Sequence, residues 1–277
     1  GPAWGDYCTA DFAALQARDL PLLRALGANT VRVYGWAPGV SHQEFLDQCY
    51  NGGVAPIYVL VNLWIDPATD WTNATAVAAL AALFAVLEDD LARHPAVLGM
   101  LLGNETNAAN GNGGNPAYWA AMETVAAAIK ARNPDRLVSV PITDALPQVT
   151  VAEAAGIAHI DFWSLQVYRG TTLGTLFADF AARSGRPLVL TEMGLDAYDH
   201  RTGQAFANNG AVVADALTTL WREIQANAAT VGGGCVFAWT DDLSRRGTGF
   251  VASEFPDGYA DEGWWGLYMV ADNGTAP

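Results

Sequence analysis

The chain has 277 residues, of which 51% are hydrophobic, with 14 Lys+Arg against 29 Asp+Glu for a formal charge of −15. That length and apolar content suit one large α/β domain with a substantial core and exclude a disordered chain. So acidic a surface, with Lys130 as its one lysine, repels nucleic-acid phosphates and anionic lipid, which leaves a neutral partner as the expected one. No apolar run reaches the length of a spanning helix, and no signal peptide is evident.

Taken in chain order, short runs rich in Val, Ile and Leu alternate with Ala-rich amphipathic stretches. The runs predict strands over 29–36, 54–64, 97–105, 137–143, 160–168, 187–194 and 234–241. Helical patterns cover 10–26, 41–51, 74–93, 116–132, 172–183 and 204–228. In the third of these, Leu80, Leu83, Phe84, Leu87 and Leu91 form the expected apolar face. Continuous apolar strands alternating with helices are the pattern of a parallel sheet covered by helices. The class is therefore α/β, and a (β/α)8 TIM barrel is expected. Seven strands are visible where that barrel needs eight, and the first is not evident. An open doubly wound sheet fits less well, because no Gly-rich phosphate loop follows an early strand. No repeat or linker interrupts the chain, so residues 1–277 are expected to be a single catalytic barrel domain. The segment after strand seven reads as a long loop and a closing stretch.

Three cysteines are present. Cys235 sits in a strand context and is expected to be an inert apolar residue, whereas Cys8 and Cys49 are candidates for a disulfide, with pairing and free thiols both open. Four scattered histidines without ligand spacing give no metal site, and no cofactor is implied. His42 is expected to be a polar residue at a helix start.

In a parallel barrel the strand C-termini converge on one rim, where active sites are built. Here that rim collects Arg32 and Tyr34, Asn62 and Trp64, Asn104 and Glu105, Asp144, Gln166 and Tyr168, Glu192, and Trp239, Asp241 and Asp242. Two glutamates among nine in the chain end strands in this way. With an unseen first strand counted, Glu105 is on strand four and Glu192 on strand seven, opposite each other across the expected mouth. Carboxylates about 5 Å apart in such a mouth serve a retaining glycosidase. A lysine-dependent aldolase is disfavoured, since Lys130 falls on a predicted helix.

"GNE" at 103–105 and "TEMG" at 191–194 resemble the acid/base and nucleophile signatures of clan A glycoside hydrolases. "RDLPLLRALGANTVRVYGW", followed by His42, resembles the N-terminal half of family 72 β-1,3-glucanosyltransferases. "LQVYRGTTLGTLF", "TEMGLDAYD" and "GGGCVFAWTDD" are similar to bacterial barrels grouped near families 2 and 72. The cysteine positions depart from the family 72 pattern. The resemblance implies Glu105 as acid/base, Glu192 as nucleophile and Asn104 as partner of the sugar 2-hydroxyl. It also implies that Tyr168 and Arg32 bond the Glu192 carboxylate and that Trp239 is a stacking floor. Tyr34, Trp64, Gln166 and Asp144 are further substrate-contact candidates. Trp264 and Trp265 are expected to plug the barrel end.

The expected protein is a secreted, periplasmic or cell-surface monomer acting on an oligo- or polysaccharide by double displacement, on β-glucan with β-1,3 linkages as the expected target. Hydrolysis and transfer are both open. A hydrolase of β-1,4-glucan or β-mannan and a non-catalytic glycan-binding barrel are the alternatives.

Overall fold

The computed structural model describes residues 5–91, 93–199, 201–205, 209–245 and 262–269. The chain divides into two compact units, residues 1–164 and 165–277.

The first unit is built on a four-stranded parallel sheet. Its strands are β1 (Thr30–Arg32), β2 (Tyr58–Leu63), β3 (Val97–Leu102) and β4 (Leu137–Ser139), in that order. β5 (Pro141–Thr143) follows β4 after a break at Val140. The helices are α1 (Ala13–Leu26), α2 (Gln43–Tyr50), α3 (Ala74–Asp90), α4 (Pro116–Arg132) and α5 (Leu146–Ala154). Their ends are chemically marked. Gly27 takes φ +87° to close α1, the left-handed turn that glycine adopts without penalty. The Asn73 side chain accepts from the Thr75 and Ala76 N–H groups to open α3, and Asn115, followed by Pro116, opens α4.

Register places the functional side chains. Arg32 pairs with Leu60, Leu60 with Gly99, and Asn62 with Leu101, so Arg32, Leu60 and Gly99 share one face of the sheet, with Asn62 one pleat further along β2. At Gly99 a Cβ would lie 2.9 Å from the Leu137 carbonyl oxygen, which explains glycine there.

The second unit carries β6 (Trp163–Val167), which crosses the boundary, then β7 (Leu188–Met193), a short antiparallel hairpin of β8 (Tyr198–Asp199) and β9 (Gln204–Ala205), and β10 (Val231–Val236). Its main sheet runs β10-β7-β6, with β10 and β7 parallel. The helices are α6 (Leu176–Ala181) and α7 (Asn209–Ala226). Beyond β10 the chain continues extended. The Ala238 N–H donates to Trp265, the Leu267 and Tyr268 N–H groups donate to Ala238 and Trp239, and Thr240 bridges Tyr268 in parallel. The closing stretch thus lies as a parallel strand-like segment beside 238–241.

The parallel α/β class and the seven predicted strand regions are as expected. Two readings need correction. Residues 146–154 form α5, which the apolar pattern did not suggest. In α3 the buried residues are Val77, Ala81, Phe84, Ala85, Leu87 and Glu88, with Leu91 buried just past its end, so Phe84, Leu87 and Leu91 are as expected while Leu83 is 37% exposed. Glu88 holds a position on the apolar stripe because it is paired. Arg136 donates to it through Nε (2.7 Å) and Nη2 (3.1 Å), and Asn133 through Nδ2 (2.7 Å), with all three side chains buried. Lys130 lies on α4, as predicted, and bonds Asp161 at 2.8 Å.

Candidate active site

In the first unit the chemistry gathers where β1, β2 and β3 end. Arg32 leaves β1 with its guanidinium carbon 4.3 Å from the centroid of the Tyr34 ring, a cation–π contact, and donates from Nη2 to Asn104 Oδ1 at 2.5 Å. Tyr34 is half-exposed, and Trp64, just past β2, is 62% exposed. Asn62 contrasts with both. It is 1% exposed, and neither its Oδ1 nor its Nδ2 meets a hydrogen-bond partner among the described residues. Asp144 is exposed, on the turn between β5 and α5.

Glu105 follows a sharp reversal. Gly103 has φ +72°, and a Cβ there would stand 3.0 Å from Thr106 Cγ2 and 3.3 Å from Ile65 Cβ. Glu105 itself has φ +50°, a left-handed conformation that costs a non-glycine residue about 1–3 kcal/mol and gathers at functional positions. Its N–H donates to Pro141 O (3.2 Å), and its carbonyl accepts from the Ala108 N–H (3.0 Å).

Polar side chains that the sequence reading passed over hold the loop after Glu105. Thr106 Oγ1 bonds the Tyr118 hydroxyl at 2.7 Å. Asn107 donates to Thr143 Oγ1 (2.8 Å) and Gln148 Oε1 (2.7 Å) and accepts from the Thr143 N–H. Asn112 accepts from Trp71 Nε1 (2.9 Å) and donates to Pro67 O (2.9 Å) and Thr106 O (2.8 Å). Thr106, Asn107 and Asn112 are all buried.

In the second unit Glu192 ends β7, 6% exposed. Gln166 Nε2 donates to its Oε1 at 2.6 Å, and the Tyr168 hydroxyl donates to its Oε2 at 2.5 Å. Both carboxylate oxygens are thereby fixed by donors from β6 and its end. The Tyr168 ring stands edge-on to Trp265 (4.5 Å, 89°) and to Phe237 (6.4 Å, 81°). Gly194 is required beside them, since a Cβ would come within 2.2 Å of the Phe237 carbonyl oxygen and 3.0 Å of Trp265 Cε3. Trp239 is half-buried against Tyr268 (4.6 Å). The buried Asp241 accepts the Gly266 N–H at 2.9 Å, tying down the closing stretch.

The structure therefore brings Arg32, Tyr34 and Asn104 together in one unit, and Gln166, Tyr168 and Glu192 in the other. Trp265 is a buried support of Tyr168, while Trp264 stacks on Tyr198 (4.9 Å, 16°). His42 caps α2 and sits 2.7 Å from Asp6. Cys8 and Cys49 are unjoined buried thiols, and Cys235 lies on β10, as its strand context suggested, half-buried.

A family model for glycoside hydrolase family 72, glucanosyltransferase, matches residues 8–154, and the chain belongs to that family. Among solved structures, the chain is similar to a Bacteroides uniformis β-glucuronidase, with TM-score 0.66, 15% identity, and coverage of 100% of this chain and 32% of that one. It is also similar to a β-glucuronidase from an uncultured Clostridium sp. (TM-score 0.67, 15% identity, 93% and 44% coverage). An exo-β-1,4-mannosidase, Op5Man5, from Opitutaceae bacterium strain TAV5 aligns with TM-score 0.59 and 17% identity over 94% of this chain and 52% of that one. These likenesses establish a shared fold, and the chain spans between about a third and a half of the length of those structures. Comparison with curated proteins yields no match. Among the described residues no helix is long and apolar enough to cross a membrane.

Proposed function

We propose that the chain is a retaining β-glycosidase or transglycosylase of β-glucan, built as a single (β/α)8 catalytic domain and acting outside the cytoplasm. Glu192 attacks the anomeric carbon. Glu105 protonates the departing glycosidic oxygen and then deprotonates the incoming water or sugar hydroxyl. Asn104 bonds the 2-hydroxyl, and Trp239, Trp64 and Tyr34 offer aromatic faces to sugar rings. Asp144 bonds a hydroxyl further from the reacting bond. Such chemistry needs two carboxylates flanking one glycosidic bond, about 5 Å apart.

The observation that carries this reading is the bracketed Glu192. A buried carboxylate with a donor on each oxygen (2.6 and 2.5 Å) is aimed, as a nucleophile must be. The Glu105 backbone at φ +50° supports a positioned acid/base, and the family match supports transfer to a sugar acceptor as well as hydrolysis. The buried Asn62, whose two amide atoms meet no partner among the described residues, suits an ordered water beneath the site.

Glu192→Gln keeps the size and one acceptor oxygen, replaces the other by a donor, and removes the nucleophile. Incubation of both proteins with β-1,3-, β-1,4- and β-1,6-glucans and mannan, followed by product sizing, tests the assignment. The parent is expected to act on β-1,3-glucan with net retention at the anomeric carbon, and the variant to fold and be inert. An active variant refutes the nucleophile. Inverted products refute double displacement, and products longer than the substrate establish transfer.

A further inference from the structure

We infer that Asn112 and Trp71 are positioning residues for Glu105, acting through the backbone of the loop that carries it. The inference rests on reading Glu105 as the acid/base.

Residues 103–115 connect β3 to α4 through turns and a short 3-10 helix at Asn112–Gly114, and their backbone bonds run mostly within the loop, with Gly103 and Glu105 bonded outside it to Leu63 O and Pro141 O. Beside the bonds of Asn107 and Thr106, the Asn112 side chain anchors the loop to a second loop. It is 3% exposed and makes three bonds, one accepted from Trp71 Nε1 and two donated, to Pro67 O and Thr106 O. Trp71 and Pro67 belong to the separate β2–α3 loop, so one amide ties that loop to the carbonyl of the residue directly after Glu105. Trp71 is itself held, 7% exposed and edge-on to Tyr118 (5.1 Å), whose hydroxyl bonds Thr106. Thr106 is thus gripped through both its carbonyl and its hydroxyl, by two residues that meet each other through Trp71.

A loop needed only as a connection has no use for so many buried polar bonds, because exposed turns satisfy their polar groups with water. A proton donor does have that use. It must sit within about 0.5 Å of the productive position, and a misplacement of about 1 Å costs on the order of a hundredfold in rate. Glu105, held at φ +50°, departs from its preferred backbone unless its neighbours over-determine it. Asn112 and Trp71 never reach the reacting atoms and act by keeping the Thr106 peptide in place.

The test separates a misplaced acid from a weakened fold. Trp71→Phe deletes the indole N–H and keeps a smaller aromatic ring against Tyr118, and Asn112→Ala removes all three bonds. For each, kcat/KM is measured on a β-1,3-glucan oligosaccharide, whose leaving group needs protonation, and on dinitrophenyl β-laminaribioside, whose leaving group does not. General acid catalysis supplies about 10²–10⁴-fold. Trp71→Phe is expected to lose about tenfold on the oligosaccharide and less than about twofold on the dinitrophenyl substrate, and Asn112→Ala to show the same split more strongly. Equal losses on both substrates, or no loss on the oligosaccharide, overturn the inference. If Asn112→Ala does not fold, Trp71→Phe decides alone. Glu105→Ala is the control, with a large split and turnover restored by azide as a glycosyl azide product. If that control shows no split, the reading of Glu105 itself has failed. If it splits and Trp71→Phe does not, only the positioning role has.

Discussion

Tyr168→Phe isolates one bond in the second unit and makes an unequal prediction for the two halves of the proposed reaction. The Tyr168 hydroxyl donates to Glu192 Oε2 at 2.5 Å, and the ring is held edge-on by Trp265 and Phe237, so the variant loses the donor while its packing persists. Gln166 still holds Oε1. In the first step Glu192 gives up negative charge to the anomeric carbon, and a donor on it helps aim more than it helps energy. In the second step the carboxylate departs and charge returns to it, so the same donor stabilises that transition state. A hydrogen bond to a charged group is worth about 1.5–3 kcal/mol. If half or more of that is realised as the charge redevelops, kcat falls by about 4- to 160-fold. Breakdown of the glycosyl-enzyme becomes limiting, so KM falls with kcat. Steady-state kinetics and intact-protein mass spectrometry check this, the second by an added glycosyl mass during turnover. A kcat within about twofold of the parent, or a lower kcat with unchanged KM and no adduct, refutes the role assigned to Tyr168.

Two predictions concern stability. Glu88→Gln leaves Arg136 buried without its anion, an arrangement that costs about 3–5 kcal/mol, and denaturant titration should show this, since both side chains are at most 5% exposed in the parent. A loss below about 1 kcal/mol means that the site is wetter than it looks. At Asp6, burial opposes ionisation, but bonds from His42 and from the Ala37 and Cys8 N–H groups, together with the His42 charge, outweigh it and hold the carboxyl below its usual 3.8. A depressed carboxyl stabilises the fold above its unfolded-state pKa and loses that contribution as pH falls through the folded value. Asp6→Asn should therefore lower Tm near neutrality, with the difference from the parent shrinking below about pH 4. A pH-independent difference refutes the linkage.

What could be read in the sequence follows from which signals are local. Buried parallel strands are continuous apolar runs, so a polar residue at the end of one stands out, and Glu105, Gln166 and Glu192 were visible for that reason. α5 was not, because "LPQVTVAEA" is short and rich in β-branched residues, and its one start signal was Pro147 in the first turn. The face of α3 was misjudged at Leu83 because a glutamate on the true apolar stripe makes sense only with Arg136, 48 residues away. Asn107 and Asn112 lie in "ETNAANGNGGNP", whose composition is that of a solvated loop. Their burial comes from partners distant in sequence, on β5 and α5 for Asn107 and on the β2–α3 loop for Asn112, and sequence spacing carries no trace of such contacts.

Arg32 shows a role that the structure adds to one expected from resemblance. Its guanidinium can only donate, so the Asn104 atom 2.5 Å away must be Oδ1, and the amide is locked with Nδ2 turned to the other side. A donor with a fixed direction suits a sugar 2-hydroxyl acting as acceptor, and in that case Arg32 reaches the substrate through Asn104. Arg32→Lys keeps the charge but loses the planar fork that sets the amide and stacks on Tyr34. The expected loss is about tenfold in kcat/KM on substrates that carry the 2-hydroxyl. Matched 2-deoxy substrates, which give Asn104 nothing to hold, should be cleaved equally by the parent and the variant. Comparing the two substrate series on both proteins separates this route from any direct effect of Arg32 on charge. If the variant loses as much on 2-deoxy substrates as on their parents, Arg32 does not act through Asn104.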